Sequence, residues 1–270
     1  MENKFVHTAL GKTGINVSRL GLSASYRPGK ETIYKALDEG VNYFFGYGFD
    51  GQMTSVMRDV VKTKRKEIVL ATGAYNLIWG YPNLRRTLEK QLRQFGTDYL
   101  DVFSFLGVMK PKEFPPQVLE EMQRFKEEGK VRAIGISCHD RKFAGELAEK
   151  KALDVLMIRY NAAHRGAEQD IFPHRYDHSV GVIGYTATRW TYLLRRPRNY
   201  PKDARIPNAS ECYRFVLSNP NVDVCMTAPR KLKEFEENLA AVRRGNLDEE
   251  DMDFMKSFGD IVHRQQKWFM

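Results

Sequence analysis

Short runs of apolar residues alternate with longer amphipathic stretches along this chain of 270 residues. The apolar runs have the length of β-strands, and polar or glycine-containing turns bound them. They predict eight strands, at Leu20–Ser23, Asn42–Phe45, Ile68–Thr72, Leu100–Phe105, Ala133–Ser137, Val155–Tyr160, Val180–Tyr185 and Val222–Thr227.

The stretches between the strands carry the signals of helices. Several end at a glycine, the residue that most easily adopts the left-handed conformation at a helix C-terminus. An acidic run from Asp248 suits the N-terminus of a last helix, because it complements the helix dipole. The other predicted helices are Glu31–Glu39, Leu84–Phe95, Pro116–Glu128 and Leu232–Arg244.

Eight strands that alternate with helices predict an α/β fold, a single (β/α)8 TIM barrel formed by one domain over residues 1–270. A flat, doubly wound sheet is the alternative. No predicted strand, however, is followed by a nucleotide-binding GxGxxG or GxxxxGK[ST] motif. Before the barrel, alternating residues on both sides of a turn at Gly11 to Gly14 predict an N-terminal β-hairpin.

Composition narrows the classes of partner. Lys and Arg total 43 against 34 Asp and Glu, a net charge of +9, which favours an anionic cofactor or small-molecule substrate. The densest basic stretch, residues 189–205, lacks any nucleic-acid-binding pattern, so we expect no nucleic acid partner. No apolar run is long enough to cross a membrane, and three scattered cysteines predict a cytoplasmic setting. We expect a monomer or a small homo-oligomer.

Six segments follow one another across nearly the whole chain: LGKTGINVSRLGL, ALDEGVNYF, GTDYLDVF, GKVRAIGIS, RYNAAHR and FEENLAAV. In this order they resemble the aldo-keto reductase family. The resemblance implies the same barrel and the reduction of carbonyl compounds with NADPH. In that family a tyrosine acts as general acid, helped by a lysine, an aspartate and a histidine.

The chain departs from the family at all four of these catalytic positions. The resemblance places Phe45 at the aspartate, Asp50 at the tyrosine, Gly73 at the lysine and Leu106 at the histidine. A ketone that is reduced near neutral pH needs a proton donor close to the developing alkoxide, and phenylalanine, glycine and leucine cannot supply a proton. We therefore expect either a relocated donor or the loss of this chemistry.

The cofactor side of the resemblance is better preserved. The residues that it assigns to NADP(H) are Ser137, Tyr185, Arg230, Lys231, Glu237 and Asn238. Tyr185 matches the aromatic residue on which nicotinamide stacks, and Arg230 with Lys231 could meet a 2′-phosphate. Cys138 and Met157 replace an asparagine and a glutamine that usually hold the carboxamide.

In a barrel of this type, chemistry is located on the loops after the C-terminal ends of the strands. The candidate catalytic residues there are Tyr47, Asp50, Tyr75, His139 and Arg159. Tyr47 or Tyr75 could replace the missing phenol, although a phenol without a nearby lysine or histidine keeps a pKa near ~10. His139 is a candidate acid or base.

Two charged groups admit both a structural and a functional interpretation. Arg159 has the same strand parity as Met157, so if Met157 faces the barrel interior, Arg159 does too. A cation there would need a partner, either a carboxylate such as Asp101 or Asp154 or an anionic ligand. Histidine and acidic residues are frequent in the segment 161–178, but Pro173 interrupts it and the spacing fixes no ligand set, so we predict no metal site.

These residues leave three functions open. The first is a divergent aldo-keto-reductase-like oxidoreductase that binds NADP(H) and uses Tyr47, Tyr75 or His139 as donor. The second is a non-redox enzyme on the same barrel, a lyase, dehydratase or isomerase in which His139 works with Asp50 or Arg159. The third is a catalytically inactive, cofactor-binding protein, which the apolar residues at the usual catalytic positions would favour.

Overall fold

The computed structural model of the chain describes residues 6–47, 50–76 and 82–265. Two short antiparallel strands, β1 (His7–Ala9) and β2 (Asn16–Ser18), form the predicted hairpin. The strands that follow are β3 (Leu20–Ser23), β4 (Tyr43–Phe45), β5 (Val69–Tyr75), β6 (Leu100–Val108), β7 (Val131–Cys138), β8 (Val155–Arg159), β9 (Gly181–Tyr185) and β10 (Val224–Thr227). Each of them overlaps one of the eight strands that the sequence predicts.

Strands β3 to β10 close on themselves into a barrel. Neighbouring strands run parallel, and β10 pairs with β3 on one side and with β9 on the other. A flat sheet would leave two unpaired edges, so this closure decides between the two predicted architectures. The predicted (β/α)8 barrel with an N-terminal hairpin is confirmed.

Helices surround the barrel and follow most of the sequence predictions. They are α1 (Lys30–Asp38), α2 (Gly51–Lys64), α3 (Leu84–Phe95), α4 (Pro116–Glu127), α5 (Arg141–Glu149), α6 (Ala167–Asp170), α7 (Ala209–Ser218), α8 (Leu232–Arg243) and α9 (Glu249–Gln265). Helices α2, α6 and α7 have no counterpart among the predictions, whereas α5 begins directly after Asp140, whose side chain is a natural N-cap and accepts the backbone N–H of Phe143. None of the described helices is both long and apolar enough to cross a membrane.

Two hydrophobic layers hold this arrangement together. One lies between the barrel and its helices, and the other fills the barrel interior. Leu10, Ile15 and Val17 of the hairpin belong to the interior layer, so the hairpin closes the N-terminal end of the barrel. Gly11 permits this close approach, because a Cβ atom there would lie 2.4 Å from the backbone nitrogen of Gly181.

A buried ion-pair network ties strands together close to the same end. The fully buried carboxylate of Asp101, near the start of β6, accepts hydrogen bonds from Arg65 at 2.8 Å and from Arg132 at 2.7 Å. It also accepts the backbone N–H of Leu70 in β5 at 2.8 Å. The network thus stabilises the barrel away from the C-terminal strand ends, where function is expected.

Candidate active site

A cavity of about 660 Å³ opens at the C-terminal ends of the first three barrel strands. Its walls are formed by Ala24, Ser25, Arg27, Tyr47, Asp50, Gly51, Gln52 and Tyr75. The Tyr47 hydroxyl lies 2.6 Å from Ser25 Oγ, and the Tyr47 and Tyr75 rings stack with their centroids 6.0 Å apart. Three of the five predicted catalytic residues therefore meet around one cavity.

The hydroxyl of Tyr75 is a weak acid in this environment. Burial raises the pKa of the Tyr75 hydroxyl, and the neighbouring hydroxyls of Tyr47 and Tyr185 raise it further. Tyr75 is thus a poor proton donor at neutral pH. The hydroxyl of Tyr47 instead joins a chain in which Ser25 Oγ lies 2.8 Å from Ser23 Oγ.

The position of Asp50 is that of a helix cap. One carboxylate oxygen accepts the backbone N–H of Met53 at 3.0 Å at the start of α2, and the other accepts the N–H of Tyr47 at 3.0 Å. Burial raises the pKa of this carboxyl, while the backbone hydrogen bonds oppose the rise. Both oxygens therefore have a structural role.

A second group of predicted residues lies across the mouth, at the ends of β7, β8 and β9. The rings of His139 and Tyr185 meet edge to face, with centroids 6.3 Å apart. Arg159 is paired with Tyr185 in the register of β8 and β9. Tyr47 and Tyr185 both pack against the interior layer, so the two groups lie at the same end of the barrel.

Burial and charge set the protonation states in this second group. Burial lowers the pKa of His139, and the positive charge of Arg159 lowers it further, so the imidazole is neutral at pH 7. Its Nδ1 atom is buried and has no hydrogen-bond partner among the described residues. Burial raises the pKa of Tyr185 to about 12, although Arg159 and Ser137 favour the ionised form.

The remaining predicted cofactor residues lie at and near the start of α8. Lys231 occupies the N-cap position of this helix, and the guanidinium of Arg230 lies over the ring of Tyr26, 5.2 Å from its centroid. Glu237 is exposed. Asn238 is buried instead, and its amide nitrogen donates to Thr227 Oγ1 at 3.0 Å, so part of its hydrogen-bonding capacity is already used.

The structure also shows where the two carboxylates considered as partners of Arg159 lie, and which side chains are grouped closely enough to bind a metal. Asp101 pairs with Arg65 and Arg132, and Asp154 pairs with Lys126 at 2.7 Å, so both carboxylates offered to Arg159 are engaged elsewhere. Within residues 6–47, 50–76 and 82–265, no three His, Cys, Asp or Glu side chains form a group that could hold a metal ion.

Most of the chain matches a known protein family. The sequence profile of the Aldo/keto reductase family matches residues 3–209, which is most of the chain. The chain belongs to the aldo/keto reductase family. This confirms the resemblance seen in the six sequence segments, and it makes the chain a member of a family of oxidoreductases that act on small molecules.

Individual relatives agree with this family. The aldo-keto reductase YhdN of Bacillus subtilis is 27% identical over 305 residues, with 91% of both chains covered. An NADH-specific methylglyoxal reductase of Escherichia coli is 25% identical over 214 residues, which cover 66% of this chain and 65% of that one. The aldo-keto reductase AKR11C1 of Bacillus halodurans has a similar fold, with a TM-score of 0.77, 20% identity, and 93% and 95% of the two chains covered.

The positions that the resemblance assigns to the aldo/keto reductase catalytic residues are structural here. Phe45 and Leu106 are buried in the interior layer of the barrel. At Gly73, a Cβ atom would lie 2.1 Å from the carbonyl oxygen of Ser104 and 2.9 Å from the Leu106 side chain. In this backbone, position 73 has no room for a lysine.

Several residues at the mouth of the barrel were not predicted from the sequence. Ser25, Arg27 and Gln52 line the cavity, and Arg141 approaches His139 and Arg159. Gln52 lies in α2, whose start could have been found from Asp50 and the helical spacing of the apolar residues that follow it. The others carry no motif, because they are brought to the mouth only by closure of the barrel.

Proposed function

We infer that this protein is an NADP(H)-dependent oxidoreductase that reduces a small carbonyl compound, and that Tyr47 donates the proton. The observation that carries this proposal is the cavity in which Tyr47 and Tyr75 stack, at the end of the barrel where Tyr185 also packs against the interior layer. A phenol at this opening lies on the same face as the residues assigned to the cofactor. It can therefore take over the role that Asp50 does not fill.

The described residues fit a phosphorylated nicotinamide cofactor. Arg230 and Lys231 are exposed at the N-terminus of α8, where the helix dipole also favours a phosphate. Ser137 lies near the end of β7 and Tyr185 at the end of β9, on the two sides of β8, where a nicotinamide group would be oriented. Bound in this way, NADP(H) would supply the hydride.

The chain of hydroxyl groups explains how Tyr47 could act without the usual lysine and histidine. As the substrate carbonyl gains negative charge, the Tyr47 phenol gives its proton to the oxygen. Ser25 Oγ, 2.6 Å away, then donates a hydrogen bond to the phenolate, and Ser23 Oγ supports Ser25 at 2.8 Å. Hydrogen bonds of this kind stabilise the negative charge that develops on the phenol oxygen as the proton leaves.

One observation favours a non-redox enzyme as a second function. His139 presents a neutral imidazole whose Nδ1 is buried beside Arg159, as a general base requires. In that case Arg159 would stabilise an enolate or carboxylate during a lyase, dehydratase or isomerase reaction. Turnover of a substrate without any nicotinamide cofactor would support this second function.

Calorimetric titration with NADPH, NADP+ and NADH tests the cofactor proposal, since one relative is named NADH-specific. We expect NADPH to bind more tightly than NADH, and the double variant Arg230→Gln, Lys231→Gln to lose this preference. Lys62→Gln is the control, because Lys62 is an exposed lysine near the C-terminal end of α2, away from α8. Absence of binding by wild-type protein would refute the proposal.

Turnover of a carbonyl panel tests the proton donor. Tyr47→Phe should lower kcat by at least roughly 10²-fold, the usual contribution of a general acid, with little change in NADPH affinity. Tyr34→Phe, at an exposed tyrosine of α1, is the control. Tight cofactor binding without turnover of any substrate would instead identify an inactive, cofactor-binding member.

A cytoplasmic location and a monomeric or small homo-oligomeric state stay predictions.

A further inference from the structure

A narrow, basic recess lies beside the mouth, at the C-terminal ends of β7 and β8. We define this basic recess by four of its lining side chains, His139, Arg141, Arg159 and His164. Arg159 is the last residue of β8 and has the parity of Val155 and Met157, which pack in the barrel interior. Arg159 therefore reaches the recess from the interior face.

Positive charge converges on this recess. Burial lowers the pKa of Arg159, and the charges of Arg141 and Arg189 lower it further. Burial also lowers the pKa of His139, and the charge of Arg159 adds to this. Arg189 is fully buried immediately behind the recess, and its Nε donates to His164 Nε2 at 3.0 Å. Arg141 is partly neutralised, because its Nε donates to Asp170 at 2.7 Å.

The two histidines of the recess are neutral at pH 7. Burial lowers the pKa of His164 to about 3, and Arg159 and Arg189 contribute to this, so its ring is neutral at pH 7. Because its Nε2 accepts from Arg189, the neutral ring carries its proton on Nδ1, which is then a donor. His139 Nδ1 is buried and has no hydrogen-bond partner among the described residues.

The segment that carries Arg189, the hydrogen-bond partner of His164, has an unusual backbone conformation. After β9, Arg189, Trp190 and Thr191 adopt φ angles of 49°, 50° and 71°, in the left-handed region that residues other than glycine rarely occupy. Such strain is concentrated at functional sites. Gly166 leaves room for Arg141, because a Cβ atom there would lie 2.5 Å from the guanidinium carbon.

We propose that the basic recess binds one carboxylate or phosphate group of a small molecule. The recess has a volume of about 10 Å³, enough for one oxygen atom of the group, so the rest of the molecule lies outside it, toward Tyr185. Arginine is the side chain best suited to such oxyanions, because its guanidinium can donate two parallel hydrogen bonds. The site is separate from Arg230 and Lys231, and it requires neither a cofactor nor a proton donor.

Titration calorimetry of the cofactor-free full chain with inorganic phosphate and with acetate tests this proposal. Sodium chloride holds the ionic strength constant. We expect saturable binding of at least one of these ions. The ion that binds more tightly shows whether the recess prefers a phosphate or a carboxylate. Arg159→Gln should weaken it by roughly tenfold or more, because a charge-assisted hydrogen-bond pair is lost. Arg124→Gln, at an exposed arginine of α4, should leave it within about twofold.

Each alternative result is decisive. If neither ion binds wild-type protein, or if Arg124→Gln weakens binding as much as Arg159→Gln, the proposal is wrong. Displacement of phosphate by saturating NADPH would show that the recess belongs to the cofactor site, and would overturn a separate anion site. Circular dichroism monitors folding of Arg159→Gln. Should that variant fail to fold, Arg159→Lys retains the charge but not the paired hydrogen bonds, and is expected to bind more weakly than wild type.

Discussion

Replacement of Asp50 tests whether this residue is a helix cap or a catalytic group. Its carboxylate accepts two backbone hydrogen bonds at 3.0 Å, from Met53 and from Tyr47. Loss of an N-cap costs about 1 kcal/mol, and the second buried hydrogen bond contributes about 1 kcal/mol more. Asp50→Ala should therefore lower the free energy of unfolding by about 2 kcal/mol, which corresponds to a fall in Tm of about 4–8 °C.

Asp50→Asn refines this prediction. The amide keeps one acceptor oxygen and loses the other, so one of the two hydrogen bonds is retained. Burial raises the pKa of Asp50, which means that the folded state favours the protonated carboxyl and that ionisation at neutral pH reduces stability. Asparagine removes this cost. Asp50→Asn should therefore be more stable than Asp50→Ala.

Urea denaturation followed by circular dichroism, with Tm from calorimetry, measures these differences. Asp59→Ala is the control, since Asp59 lies on the exposed surface of the same helix and pairs with Lys62; we expect no measurable loss of stability. The cap interpretation is refuted if Asp50→Ala loses less than about 0.5 kcal/mol, or if Asp50→Asn is the less stable variant.

Two further predictions concern buried charge. Asp101→Asn should lower the free energy of unfolding by roughly 3–5 kcal/mol in urea, because it leaves two arginines without their shared carboxylate, whereas Asp59→Asn should not. A small effect would show that water replaces the carboxylate. The imidazole of His164 should keep its neutral NMR chemical shifts from pH 8 to pH 5, since its pKa is about 3. Because unfolding restores its ordinary pKa, His164 should also make stability fall as pH drops from about 6.5 toward 3; an imidazole that titrates near pH 6.5 would contradict the burial argument.

The linear sequence determined the barrel and its order of elements. The apolar runs and the glycine-terminated helices are local signals, so the eight strands and helix α3 could be located without tertiary information. The hairpin followed from its turn in the same way. Helix α2 was overlooked, although the spacing of Met53, Val56, Met57 and Val60 along it is that of a buried helix face.

Only the tertiary structure decided what the charged and aromatic residues at the mouth do. Asp50 is a helix cap because α2 begins next to it, and Tyr47 meets Ser25 from another strand end. Arg141 and Arg159 approach each other because adjacent parallel strands end at the same rim of the barrel. Contacts between residues distant in sequence depend on closure and register, which the local pattern of a single chain does not encode.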